Sequence, residues 1–130
     1  MSTDRVLPWL AAAAVAFGGL TLYAGALALF GGPAARAAVG NAVPFVLWFN
    51  FLAGFVYILA GAGLLWRQRW AVHAAIFLAA ATALVAVAFA MHVLSGGAYE
   101  LRTVRALAFR LLFWVVLAAV AWSAVKRRIR

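Results

Sequence analysis

Residues 70–94 read WAVHAAIFLAAATALVAVAFAMHVL, twenty-five consecutive positions without Asp, Glu, Lys or Arg. As a helix rising 1.5 Å per residue this run is about 37 Å long, enough to cross the roughly 30 Å hydrocarbon layer of a bilayer. A helix on the surface of a soluble domain carries an apolar stripe and a polar face, and this run has no polar face. It predicts a transmembrane helix.

Working outward, residues 6–30 are also uncharged and stop at Gly31, Gly32 and Pro33, which together break a helix. Residues 42–66 form another such run, with Asn41 placed as its N-cap and Pro44 in the first turn, where a missing N–H costs little. The last run is interrupted by Arg110. Residues 111–125 alone give only about 22 Å of helix, so this span has to begin near Thr103 and carry Arg110 within it. The connections are short, which makes sequential helices antiparallel neighbours. The expected fold is an all-α integral membrane protein: an antiparallel four-helix transmembrane bundle with helices at about 6–30, 42–66, 70–94 and 103–125, forming a single domain. A cleaved signal peptide is the rival for the first segment, but its apolar run is far longer than the 7 to 15 residues usual there.

Composition agrees. The chain has 130 residues, 70% of them hydrophobic and 10% charged, which excludes both a soluble core and a disordered chain. The net charge of +9 does not read as a nucleic-acid footprint, because the basic residues sit at the ends of apolar runs. Arg5, Arg67, Arg69, Lys126, Arg127, Arg128 and Arg130 fall on one side with Asp4, and Arg36, Arg102 and Arg105 on the other with Glu100. The positive-inside rule then puts both termini in the cytoplasm, with Trp9, Trp66, Trp70 and Trp122 near that face. Anionic lipids are the expected partners of those charges. Ten Arg against one Lys, with abundant Ala, is the composition of a GC-rich bacterial genome, so the expected location is a bacterial inner membrane. Without cysteine, disulfides, thiol chemistry and Cys-ligated metals are excluded for this chain.

Few residues can carry chemistry. Asp4 and Glu100 lie at opposite ends of the bundle, so no carboxylate pair forms within one chain. His73 and His92 are 19 residues apart on one helix, about 28 Å, and cannot clamp one haem. Met91 and His92 offer thioether and imidazole to copper, but adjacent helix positions diverge by about 100°. No cofactor is predicted. Ala11, Ala14, Gly18, Thr21 and Gly25 share one side of the first helix, and Asn50, Gly54, Tyr57 and Gly61 one stripe of the second, as expected of packed membrane helices. Asn50 and Arg110 lie at matching depth, roughly 10 to 12 Å from their helix ends, so they meet inside the bundle unless Arg110 snorkels to the headgroups. The segment Gly96-Gly97-Ala98-Tyr99-Glu100-Leu101-Arg102-Thr103 forms an outer connection.

Two functions fit this inventory best, with a membrane enzyme as a third reading. The first is a non-enzymatic accessory, assembly or scaffold component of a membrane complex, suited to a chain with packing faces and almost no reactive groups. The alternative is a small oligomeric transporter or channel, with Asn50, Tyr57, His92, Glu100 and Arg110 as an outward polar site. In either case a homo-oligomer or larger membrane complex is expected.

Overall fold

A computed structural model describes residues 3–129, with side-chain surroundings from 4 to 125. The topogenic cluster Lys126, Arg127, Arg128 and Arg130 therefore has side chains outside the described residues. The elements are α1 (Thr3–Phe30), α2 (Pro33–Val39), α3 (Pro44–Leu65), α4 (Arg69–Leu94) and α5 (Leu101–Ile129). Four of them, all except α2, are long and apolar enough to cross a membrane.

These four alternate in direction around a closed ring, α1 against α3, α3 against α4, α4 against α5 and α5 against α1. At one end Arg67, between α3 and α4, bonds Asp4 at the start of α1. At the other, Arg102 at the start of α5 bonds the Ala38 carbonyl of α2. We call these the Asp4 end and the Glu100 end. The core runs toward the Asp4 end, where Leu7, Tyr57, Leu64, Leu78, Trp114 and Leu117 are fully buried. A smaller cluster of Val43, Val46, Phe89 and Leu107 closes the Glu100 end.

The tightest contact joins α1 and α3. A Cβ on Gly18 would stand 2.9 Å from the Gly54 carbonyl oxygen, and one on Gly61 would stand 2.8 Å from that of Ala11. Both small-residue stripes read from the sequence meet in this interface, where only hydrogen at Cα lets the backbones approach so closely.

Three details differ from expectation. The connection at 31–41, expected only as a short link between two spans, contains α2, started by Pro33 at its first position and bracketed by Gly32 and Gly40, both with positive φ. Asn41 does not cap α3. It sits in the preceding turn, and the cap is Val43, extended and with no side-chain bond, whose carbonyl accepts from Val46 and Leu47. Third, α1 begins at Thr3 and contains Pro8. Proline has no N–H to donate four residues back, so the Asp4 carbonyl lacks that helical partner. Arg67 Nη2 donates to that carbonyl at 3.0 Å, while Nη1 reaches the Asp4 carboxylate at 3.0 Å.

Arg67 reaches them because α3 ends in a Schellman turn, with Gln68 N–H to Gly63 at 2.9 Å and Arg67 N–H to Leu64 at 3.0 Å. The turn places Arg67 at φ 54°, a left-handed position that usually selects glycine. α4 ends with the same pair of bonds, Gly97 to His92 and Gly96 to Val93, and there Gly96 takes the left-handed residue. The two bonds to Asp4 offset the cost of Arg at the first turn.

Candidate functional site

Arg110, the tenth residue of α5, is the only charged residue between Arg105 and Lys126. It does not snorkel toward its own helix end. Its side chain crosses inward, where Nη1 donates to Thr21 Oγ1 of α1 at 3.1 Å and to Tyr57 Oη of α3 at 3.2 Å. The guanidinium carbon lies 4.7 Å from the centre of the Phe17 ring and 5.8 Å from that of Tyr57, a cation–π arrangement. Tyr57 is held in turn by Trp114, with ring centres 4.8 Å apart, and by Phe17 at 5.3 Å. Trp114 follows Arg110 by four residues and so packs on the same face of α5, directly beneath it.

Above Arg110 a cavity of about 290 Å³ extends to the Glu100 end between α1, α3 and α5. Thr21, Asn50, Glu100, Arg102, Thr103 and Arg110 supply its polar lining. Its walls are small and apolar, among them Ala24, Ala28, Val46, Leu47 and Ala106. Asn50 and Arg110 thus line one chamber, as their matching depths suggest, but no hydrogen bond joins them. Asn50 Oδ1 and Arg110 Nε are instead buried polar atoms with no partner among the described residues. Such atoms are uncommon, because an unsatisfied buried group costs about 1–3 kcal/mol.

Glu100 and Arg102 form the rim. Arg102 Nη2 stands 3.6 Å from Glu100 Oε1 and donates to the Ala38 carbonyl at 3.1 Å, fastening α2 to the start of α5. Gly40, at φ 59°, leaves room for the Glu100 carboxylate, which a Cβ there would meet at 2.6 Å.

His92 belongs to a different part of the molecule. Its Nε2 donates to the Ala98 carbonyl at 2.9 Å, its ring covers Gly97, and Ser95 Oγ donates to its backbone carbonyl at 3.0 Å. The side chain is built into the α4–α5 connection. Met91 beside it is exposed, and among the described residues no group of three or more His, Cys, Asp or Glu can hold a metal. His92→Ala is expected to lower stability by roughly 1 kcal/mol through loss of the Ala98 bond. Titration of the purified protein with copper should show no stoichiometric uptake, and a His92-dependent copper complex would reverse this assignment.

The site therefore gathers Asn50, Tyr57, Glu100 and Arg110 and leaves His92 outside. Sequence reasoning missed Thr21 as a hydrogen-bond partner, having placed it only among small packing residues, and missed Trp114 altogether. Nothing here forms a nucleophile with an adjacent base. What the arrangement offers is recognition, through a few polar residues lining a small, mostly apolar chamber. The chain matches no protein-family model, and no curated protein or solved structure shows significant similarity to it.

Proposed function

We propose that the chain crosses a bacterial inner membrane four times with the Asp4 end in the cytoplasm. Its function is to bind a small solute, without catalysis, in the chamber above Arg110, entered from the opposite side. This is the transporter or channel reading in its minimal form. The observation that carries it is the inward turn of Arg110. A charge within a membrane-spanning helix is costly, and where it persists it faces a partner or a water-filled path. Here the partners are two neutral hydroxyls at the floor of a cavity. The charge asymmetry between the two ends supports the orientation.

An accessory role in a larger complex is the second reading. It is favoured by the edge-to-face array of Phe30, Trp48, Phe51 and Phe55 on α1 and α3, in which Phe30, Trp48 and Phe55 are exposed.

Because the chain has no cysteine, single-cysteine variants test the proposal cleanly. Ala98→Cys and Gln68→Cys, at opposite ends, should react with a membrane-impermeant thiol reagent from opposite sides. Ala106→Cys, in the chamber wall, should react from the Ala98 side, whereas Val87→Cys on the outer surface of α4 should not. Labelling of Ala98→Cys and Gln68→Cys from one side overturns the topology. An Ala106→Cys as inert as Val87→Cys overturns the solute pocket.

A further inference from the structure

We propose that the chamber takes a singly charged carboxylate with a small apolar body, and that this anion is the missing counter-ion of Arg110. The proposal names the ligand class of the pocket described above and rests on that reading.

The chain has two carboxylates, and both are engaged elsewhere. Asp4 pairs with Arg67 at the far end, and Glu100 faces Arg102 at the rim. The chamber lining thus holds two guanidinium groups against one carboxylate, with Arg110 left over at the floor. A part-buried cation within a membrane-spanning helix and without an anion is a state that folding avoids or that function maintains.

The free edge of Arg110 specifies the anion. Nη1 is occupied by Thr21 and Tyr57, whereas Nε is buried without a partner and Nη2 makes no hydrogen bond among the described residues. Nε–H and Nη2–H lie along one edge of the planar group, a fork that fits the two oxygens of one carboxylate once the guanidinium turns its Nε, which is closed off from solvent, toward the ligand. Asn50 adds a further polar group, and its amide is held by no hydrogen bond from Oδ1, so either end of it can be turned to the ligand. Charge balance favours a monoanion. A phosphate bearing about −1.5 to −2 leaves the chamber floor net negative against one guanidinium, whereas a carboxylate neutralises it.

The walls specify the remainder. Ala24, Ala28, Val46, Leu47 and Ala106 offer no hydrogen bonds, so the body of the ligand is apolar. A dry cavity of about 150 Å³ admits benzene. The chamber, at about 290 Å³, therefore holds a single ring or a short aliphatic chain together with its carboxylate.

Benzoate and hexanoate are suitable probes, with benzamide and hexanol as neutral counterparts. Inorganic phosphate and phosphatidylglycerol represent the other sources of an oxyanion. Calorimetry on the full chain in uncharged detergent, at constant ionic strength, should show saturable binding of a carboxylate at one per chain. Phosphate and the neutral analogues should bind roughly tenfold more weakly or less. Arg110→Gln should weaken carboxylate binding roughly 10- to 100-fold, with Arg110→Lys intermediate because it keeps the charge and loses the fork. If Arg110→Gln does not fold, Asn50→Ala provides the same reading with a smaller loss.

Equal binding of benzoate and benzamide, or benzoate binding unchanged in both variants, overturns the proposal. So does saturable binding of phosphatidylglycerol with no binding of benzoate or hexanoate, which identifies a lipid headgroup as the occupant. If no carboxylate binds while Ala106→Cys is labelled from outside, the ligand class fails and the pocket stands. An inert Ala106→Cys removes both.

Discussion

Gly61→Leu is expected to drive α1 away from α3. A Cβ at this position would lie 2.8 Å from the Ala11 carbonyl oxygen, 2.8 Å from Val15 Cγ2 and 3.0 Å from the Val15 nitrogen, and two of these are backbone atoms of a neighbouring helix that cannot turn aside. Overpacking of this kind costs typically about 1–3 kcal/mol, and a Leu at a backbone contact belongs at or above the upper limit. Gly19 on the same α1 supplies the control, since a Cβ there meets nothing within 4 Å. In mild detergent Gly61→Leu should unfold well below the wild-type chain while Gly19→Leu stays close to it. Equal behaviour of the two variants would mean that α1 and α3 do not approach as described.

The second large effect is expected at Tyr57, which is 0% exposed and joins the core to the site. Tyr57→Ala removes a ring packed against Trp114 and Phe17 and withdraws one of the two hydroxyls on Arg110 Nη1. Truncating a buried aromatic costs about 3–5 kcal/mol in soluble cores. On the proposed membrane placement the lower figure applies, because packing and hydrogen bonds remain but the hydrophobic term does not. Tyr57→Phe isolates the hydroxyl and should cost only about 0.5–1.5 kcal/mol. A cycle combining Tyr57→Phe with Arg110→Met separates the two roles. Coupling of about 0.5–2 kcal/mol would locate the bond between them. Arg110→Met on its own should be close to neutral, because the cost of a part-buried charge without a counter-ion is removed together with its bonds to Thr21 and Tyr57. A strongly destabilised Arg110→Met would make Arg110 a structural residue and weaken its assignment as a ligand group.

The long helices were legible because twenty-five residues without charge, and without a strand's alternation, read as one long apolar helix, and the end of α4 was legible because Gly96 and Gly97 announce a helix stop. The end of α3 was less so. Its left-handed residue is Arg67, held there by Asp4, sixty-three positions away, and no local pattern encodes that bond. α2 escaped for a similar reason: seven residues are too few for periodicity to register, and its attachment depends on Arg102. At the site, depth came directly from the rise per residue, which brought Asn50 and Arg110 to one level. Their hydrogen bond did not follow, because a long Arg side chain reaches across the bundle and periodicity does not say which helix receives it. Thr21 received it, a residue read only as small.

The placement of Thr21 and Tyr57 on α1 and α3 also bears on how the chain is made. Synthesis runs from the amino end, so the α1–α3 pair, with its glycine contact, emerges before α5. On the proposed membrane placement, both hydroxyls that receive Nη1 are already assembled when Arg110 leaves the ribosome. The one cation that must enter the lipid layer arrives last, at a prepared berth, and a nascent chain cut off before residue 101 has everything it needs to pack α1 against α3 but nothing to fill the space between them and the missing helix.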